Sequence, residues 1–219
     1  MTELDSVFSA ADREAVRQAT ADAEAKTGAE VVSVVVARCD DYAGAVWKAT
    51  LLGALAASLA VAAWLLAAGP WRAPGALAVA LPPFAGAALG WLLATLWPAL
   101  AGLLVSPEVM DLRVDRRAAQ AFVEEGIGAT RAATGVLLFV ALFEHRVRVV
   151  ADRGVKGKVA EDVWLPIADD LALGMRERRG GAALVAAIER CGELLAAVGV
   201  ERAEDDENEL SDELRLRDA

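Results

Sequence analysis

Two carboxylates, Glu30 and Asp152, are the side chains of this 219-residue sequence whose type and placement could do chemistry. Each flanks a run that reads as a strand. If the two central strands run parallel, Glu30 stands where the first begins. Thr134 precedes the second, and Asp152 closes the return strand paired with it, so all three meet at one end of the sheet. Carboxylate and hydroxyl oxygens gathered this way suit a hard cation. The competing reading is a solvated loop in which Asp152 pairs with Arg153 or Arg146. Other constellations are excluded by spacing. His145 follows Glu144 in a tight turn with no serine near it, so a nucleophilic triad has no nucleophile. Gly126-Ile127-Gly128 follows a helix and lacks a third glycine, and residues 154–159 have neither the spacing nor the hydroxyl of a phosphate loop. Cys39 and Cys191 stand far apart, there is no CxxC, and one histidine makes no zinc site. Cys191 falls on an apolar helix face and Cys39 at a strand end. The expectation is no catalytic residue, no organic cofactor, and Glu30 with Asp152 as the candidate metal ligands.

The elements that must position these residues are split by a long apolar block. Between Lys48 and Arg72 no residue is charged, and a second uncharged run extends from Ala73 to Ser106. At 1.5 Å per residue the first would form a helix of roughly 34 Å, enough to cross a hydrocarbon core of about 30 Å. The second is too long for one span, and Pro82-Pro83 and Pro98 are the expected breaks. A two-helix transmembrane hairpin is predicted. Trp47 and Trp71 bracket the first span, while Trp91 and Trp97 mark the later part of the second, as interfacial aromatics do. Arg38, Lys48, Arg113, Arg116 and Arg117 lie on the flanks against Arg72 alone in the connection. That asymmetry predicts an inner (cytoplasmic) membrane protein with both termini cytoplasmic. The acidic opening MTELDSVFSA has no basic or apolar leader, so no cleavable signal peptide is expected.

Composition agrees. The chain is 56% hydrophobic with a mean hydropathy of +0.39, and the excess is confined to the block. Formal net charge is −10. Residues 201–219 carry nine acids against three arginines, and no basic stripe appears elsewhere, so a nucleic-acid partner is excluded. The expected partners are the lipid bilayer and another membrane protein.

Outside the block the pattern is α/β. Ser9, with Asp12 three residues on, opens a helix reaching Lys26. Residues 30–37 are a β-branched run with almost no alternation, the signature of a strand covered on both faces. Ser106-Pro107-Glu108 starts a helix that should end at Gly126, with Met110, Val114, Ala118 and Phe122 on its inner face. Residues 135–142 form a second apolar strand, and a tight turn leads to residues 146–151, where arginine and valine alternate. A helix from about Glu161 turns Trp164, Ile167 and Leu171 inward. After a break at Gly180-Gly181, Leu184, Ile188, Cys191, Leu195 and Val198 mark the last helix. The acidic tail is read as disordered or a frayed helix. The predicted divisions are residues 1–47, the hairpin 48–105, residues 106–200, and the tail 201–219.

Two blocks carry a resemblance. Thr27-Gly28-Ala29-Glu30 with VVSVVV, and Thr134-Gly135-VLLFVAL followed by EHRVRVVADRGV, resemble the signature blocks of the TPM domain family. The likeness spans about residues 8–45 and 107–198 and is nearest to a bacterial membrane subgroup with an inserted hairpin. It implies an α/β/α sandwich with a small mixed sheet, interrupted by the transmembrane hairpin, and a role assisting membrane complexes. It also implies acid phosphatase activity and calcium binding, as in some members. Gly28, Glu30, Gly135 and Gly154 match the family pattern. Ala133-Thr134 stands where many members have Asp-Asn, and Asp152-Arg153-Gly154 replaces a Gly-Tyr-Gly-like turn. The reading is a membrane-anchored accessory module that binds or helps maintain a membrane-protein partner. The alternative is a cation-dependent acid phosphatase using Glu30 and Asp152.

Overall fold

Ser9 begins the first helix with a reciprocal cap: the Asp12 amide donates to Ser9 Oγ at 3.2 Å and Asp12 Oδ2 accepts the Ser9 amide at 2.9 Å. In the computed structural model, which describes residues 4, 7–69, 74–200 and 208–218, this helix is α1, Ala10–Lys26. Val16, Ala19, Thr20 and Ala23 form its buried stripe, small enough for the helix to lie close on a sheet. The chain divides into two compact units, residues 1–40 with 111–219 and residues 41–110.

The first unit is built on a four-stranded sheet in the order β3-β2-β1-β4. β1 (Val31–Val36) and β2 (Val136–Ala141) pair parallel, from Val31 opposite Val136 to Val36 opposite Ala141. All twelve of their residues are buried. β3 (Arg146–Ala151) returns antiparallel to β2, and β4 (Arg215–Arg217) runs parallel to β1. Alternation along the strands then makes two cores. Val31, Val35, Val136 and Leu138 point into one, with Phe8, Val16, Leu171, Leu184, Ile188 and Leu195. Val32, Val34, Val36, Leu137 and Phe139 point into the other, with Val114, Ala118, Ala121 and Ile127. Helices therefore cover both faces: α1, α7 (Leu165–Arg176) and α8 (Gly180–Ala197) on one, α5 (Pro107–Glu124) on the other. This is the expected α/β/α sandwich with a mixed sheet. The one-turn helix α6 (Arg153–Lys156) follows β3.

Three expectations need correction. Arg215–Arg217 is the fourth strand rather than part of a solvated tail, because alternating arginine and leucine inside an acidic segment give a short strand one apolar and one cationic face. Residues 201–207 of that tail, and Trp71 and Arg72 between the apolar helices, lie outside the described residues. Gly180-Gly181 opens α8 instead of breaking it; the turn falls just before, where Arg178 takes φ 59°. Both glycines are buried, and a Cβ at Gly181 would run into the Asp12 carboxylate of α1. On α5, Ala121 is buried where Phe122 was expected, and Phe122 packs at the margin.

The second unit holds α2 (Ala43–Ala68), α3 (Ala76–Leu96) and the short α4 (Pro98–Gly102). Pro98 breaks the run as expected. Pro82-Pro83 does not, and α3 passes through both. A proline's fixed φ fits a helix, and the loss of two donors at its seventh and eighth residues does not end this 21-residue element. α2 and α3 pack antiparallel along small residues. A Cβ on Gly53 would strike the Gly86 carbonyl, one on Gly86 would strike Gly53, and one on Gly90 would strike Ala49. Leu51, Leu55, Leu66, Leu81, Phe84 and Trp91 face outward. Both helices are long and apolar enough to cross a membrane. At their feet Lys48 Nζ donates to the Leu104 carbonyl at 3.0 Å.

Candidate binding site at the strand origins

Parallel pairing of β1 with β2 places the residues just before both strands at one end of the sheet, and β3 finishes there. Glu30 precedes Val31 and is 8% exposed. Its carboxylate accepts the backbone amides of Glu209 at 3.0 Å and Leu210 at 3.3 Å. Glu24, from the last turn of α1, reaches the same place: Oε1 accepts the Val31 amide at 2.9 Å, and Oε2 accepts Asn208 Nδ2 at 3.2 Å. Asn208 Nδ2 also donates to Asp212 Oδ1 at 2.6 Å. Between these groups lies a pocket of about 90 Å³, bounded by Glu24, Thr27, Glu30, Asn208 and Asp212. Burial pushes the Glu24 carboxyl up to about 8, helped by the nearby charges of Glu30 and Asp212 and opposed by the Val31 amide.

Across β2, the other expected donors are engaged separately. Thr134 Oγ1 donates to the Gly28 carbonyl at 2.6 Å. Asp152 caps α6, Oδ1 accepting the Arg153 amide at 2.6 Å, while Oδ2 is buried without a hydrogen bond. The Asp152 amide donates to the Gly135 carbonyl at 2.8 Å. Glu30, Gly135 and Asp152 thus occupy one row across three strands, which separates the two acids by two strand spacings, about 9–10 Å along the backbone. The structure brings Glu30 and Asp152 to the same end of the sheet and gives each its own partners. Among the described residues no group of three or more His, Cys, Asp or Glu side chains is set to hold a metal ion. The glycines here are required by close packing. A Cβ on Gly154 would lie 2.7 Å from the Ala133 carbonyl oxygen and 2.8 Å from that of Ala132, and one on Gly135 would collide with Ile127.

At the opposite end of the sheet the charged residues are paired. The Cys39 amide donates to Glu144 Oε1 at 2.9 Å, and burial together with Glu144 pushes the Cys39 thiol upward. Arg148 binds Asp111 at 2.7 Å and Asp115 at 2.6 Å, Arg146 binds Asp111 at 3.0 Å, and Arg113 meets Asp40 at 3.2 Å. His145 is exposed in a left-handed turn at φ 53°.

Residues 104–194 match the family model of the TPM domain. Over that segment the chain is similar to the TPM domain. Its fold is similar to that of the BA42 protein from the psychrophilic bacterium Bizionia argentinensis, known from an NMR structure. The likeness covers 95% of this chain and 94% of that one, with a TM-score of 0.56 and 17% identity. No curated protein matches the sequence. The matched segment begins after β1, and the pairing of β1 with β2 brings Glu24 and Glu30 beside it.

Sequence reasoning missed Glu24, Asn208 and Asp212. Glu24 carried a signal: an acid in the last turn of a helix opposes the macrodipole and needs a donor elsewhere, here the Val31 amide. Leu210, Leu214 and Leu216, spaced through an acidic tail, were the trace of a segment that docks on the sheet.

The Glu24 carboxyl makes that docking pH-dependent. Part of that rise comes from Asp212, so the docked form holds the Glu24 proton to a higher pH than the released form does. Docking is unopposed below about 4.5, weakens as pH climbs toward about 8, and then stays at its reduced level. NMR titration of the Glu24 side-chain carboxyl should give a midpoint near 8, falling toward 4.5 when residues 208–217 are detached. A midpoint near 4.5 in the intact chain would remove the effect.

Proposed function

We propose that this chain is a membrane-anchored TPM-domain module that binds and assists a membrane-protein partner. The observation carrying the anchor is the outward surface of α2 and α3. Trp47 is 68% exposed, Leu66 87%, Leu77 70% and Phe84 73%, on helices joined by a glycine seam. So continuous an apolar surface is an aggregation liability in water, and lipid removes it. The charge asymmetry of the flanks supports a cytoplasmic TPM domain with both termini on that side. Binding is favoured over turnover because Glu30, a candidate metal ligand by its place at the strand origin, is engaged by the chain's own amides.

The test has two arms. The protein should remain in the membrane pellet through alkaline carbonate extraction and leave it only with detergent; recovery in the aqueous supernatant would end the anchor. In detergent, the purified protein should leave a generic phosphate ester intact with or without calcium. Hydrolysis that disappears in Asp152→Ala would replace the accessory role with the phosphatase.

A further inference from the structure

The fourth strand is held differently from the other three. β4 meets β1 over three residues, Arg215 opposite Val34 to Arg217 opposite Val36, and every residue of it is half-buried. Arg215 and Arg217 share the face of Val34 and Val36, beneath α5. Arg215 Nε lies 2.7 Å from Glu125 Oε2, and Arg217 binds Glu124 at 2.8 Å and also Glu125. Leu214 and Leu216 rest on the core of the opposite face. Beneath β4, the valines of β1 are fully buried. Lifting β4 would uncover a sheet edge with unpaired N–H and C=O groups, the template on which an extended peptide adds a strand.

We propose that this edge of β1 is a docking groove for an extended partner segment carrying arginine, an apolar residue and arginine in succession, and that residues 208–217 fill it until such a segment displaces them. The inference rests on the accessory reading and names where the partner would bind. The ladder along β1 supplies affinity without regard to sequence. Selectivity comes from the two faces: Glu124 and Glu125 at the end of α5 select cationic forks two residues apart, and the opposite core accepts a leucine-sized side chain between them. Displacement is feasible because the resident strand pairs with β1 over three residues and its Arg217–Glu124 ion pair is partly exposed. Its Asn208 and Asp212 also sit beside Glu24 and Glu30, where a second carboxylate charge opposes closure. Tethering gives the resident segment a high local concentration, so an outside segment binds weakly until the tethered copy is loosened.

The test uses the full chain in detergent and a labelled peptide of residues 208–218 as probe. Arg215→Glu with Arg217→Glu removes the resident strand's cations and leaves the groove intact. The double variant should bind the peptide at least about 10-fold more tightly than the unaltered chain, whose own strand competes. That gain should vanish with a peptide bearing glutamate at both arginine positions, and when Glu125→Arg is added to the protein. A double variant with fast exchange at the Ala37 amide, which normally donates to the Arg217 carbonyl, yet no affinity for the peptide would overturn the proposal. An unaltered chain that dimerises by exchanging residues 208–217 would also overturn it, giving the groove to a second copy. If the double variant loses amide protection in β2, Leu216→Gly carries the same expectations. Membrane retention is read separately, so either idea can fail alone.

Discussion

Replacing Glu30 with alanine should detach residues 208–217 from the α/β unit and lower its unfolding free energy by about 2–4 kcal/mol. The Glu30 carboxylate is buried and accepts two amides from that segment, at 3.0 and 3.3 Å. A hydrogen bond to a charged group contributes roughly 1.5–3 kcal/mol, and both disappear together. Part of the loss is offset, because the alanine also removes a charge that crowds Glu24. The expected net effect is therefore below the sum of two bonds. Glu30→Gln keeps an acceptor oxygen and should fall between the two. Urea unfolding of the detergent-solubilised chain gives the magnitude, and faster exchange at Ala37 identifies the segment released. Calcium separates the remaining readings. A cation bound through Glu30 would raise the midpoint of the unaltered chain in proportion to occupancy, and the alanine variant would not respond. An unchanged midpoint in Glu30→Ala would remove this acid as the anchor.

Leucine at Gly86 should drive α2 and α3 apart. Even a Cβ at this position would overlap the Gly53 carbonyl and the Ala57 methyl, and backbone cannot swing aside as a flexible side chain would. Overpacking of this kind typically costs about 1–3 kcal/mol, and a backbone obstacle on both sides of the seam puts Gly86→Leu at the upper end. Gly44→Leu is the matched control. Nothing lies within 4 Å of a Cβ there, so its effect should stay within about 0.5 kcal/mol. Unfolding in mixed SDS micelles compares the two. Equal midpoints would mean that the glycine seam does not hold the helices together.

Where local rules and long-range packing ask the same thing of a residue, the sequence is readable here. β1 and β2 are runs that only a doubly covered strand tolerates, and the structure buries both completely. Ser9, Gly126 and Pro98 act within a few residues of themselves, so their cap, stop and break are local facts. The strand origins were half readable. Glu30 announces itself by preceding β1, but its partners lie 179 and 180 residues away. Nothing in the spacing of an acidic tail says that its backbone amides, rather than a cation, will satisfy that acid. Asp152 illustrates the same limit: its place at the sheet end followed from the hairpin, whereas its role as a helix cap depended on a one-turn helix too short to show any periodicity. Pro82-Pro83 failed in the opposite direction, since a strong local signal was absorbed by an otherwise unbroken apolar helix.

Val31 lies opposite Val136, with the whole of α2 and α3 between them in the chain. A ribosome adding about 5–20 residues per second exposes the first of these strands some 5–20 s before its neighbour exists. During that interval the nascent valine-rich segment has no pairing partner, a hazard for self-association. Synthesis of the apolar helices α2 and α3 falls inside the same window. Folding is thus ordered by chain connectivity: both apolar helices are complete before the sheet can close, and any step that delays translation past Leu96 prolongs the vulnerable state.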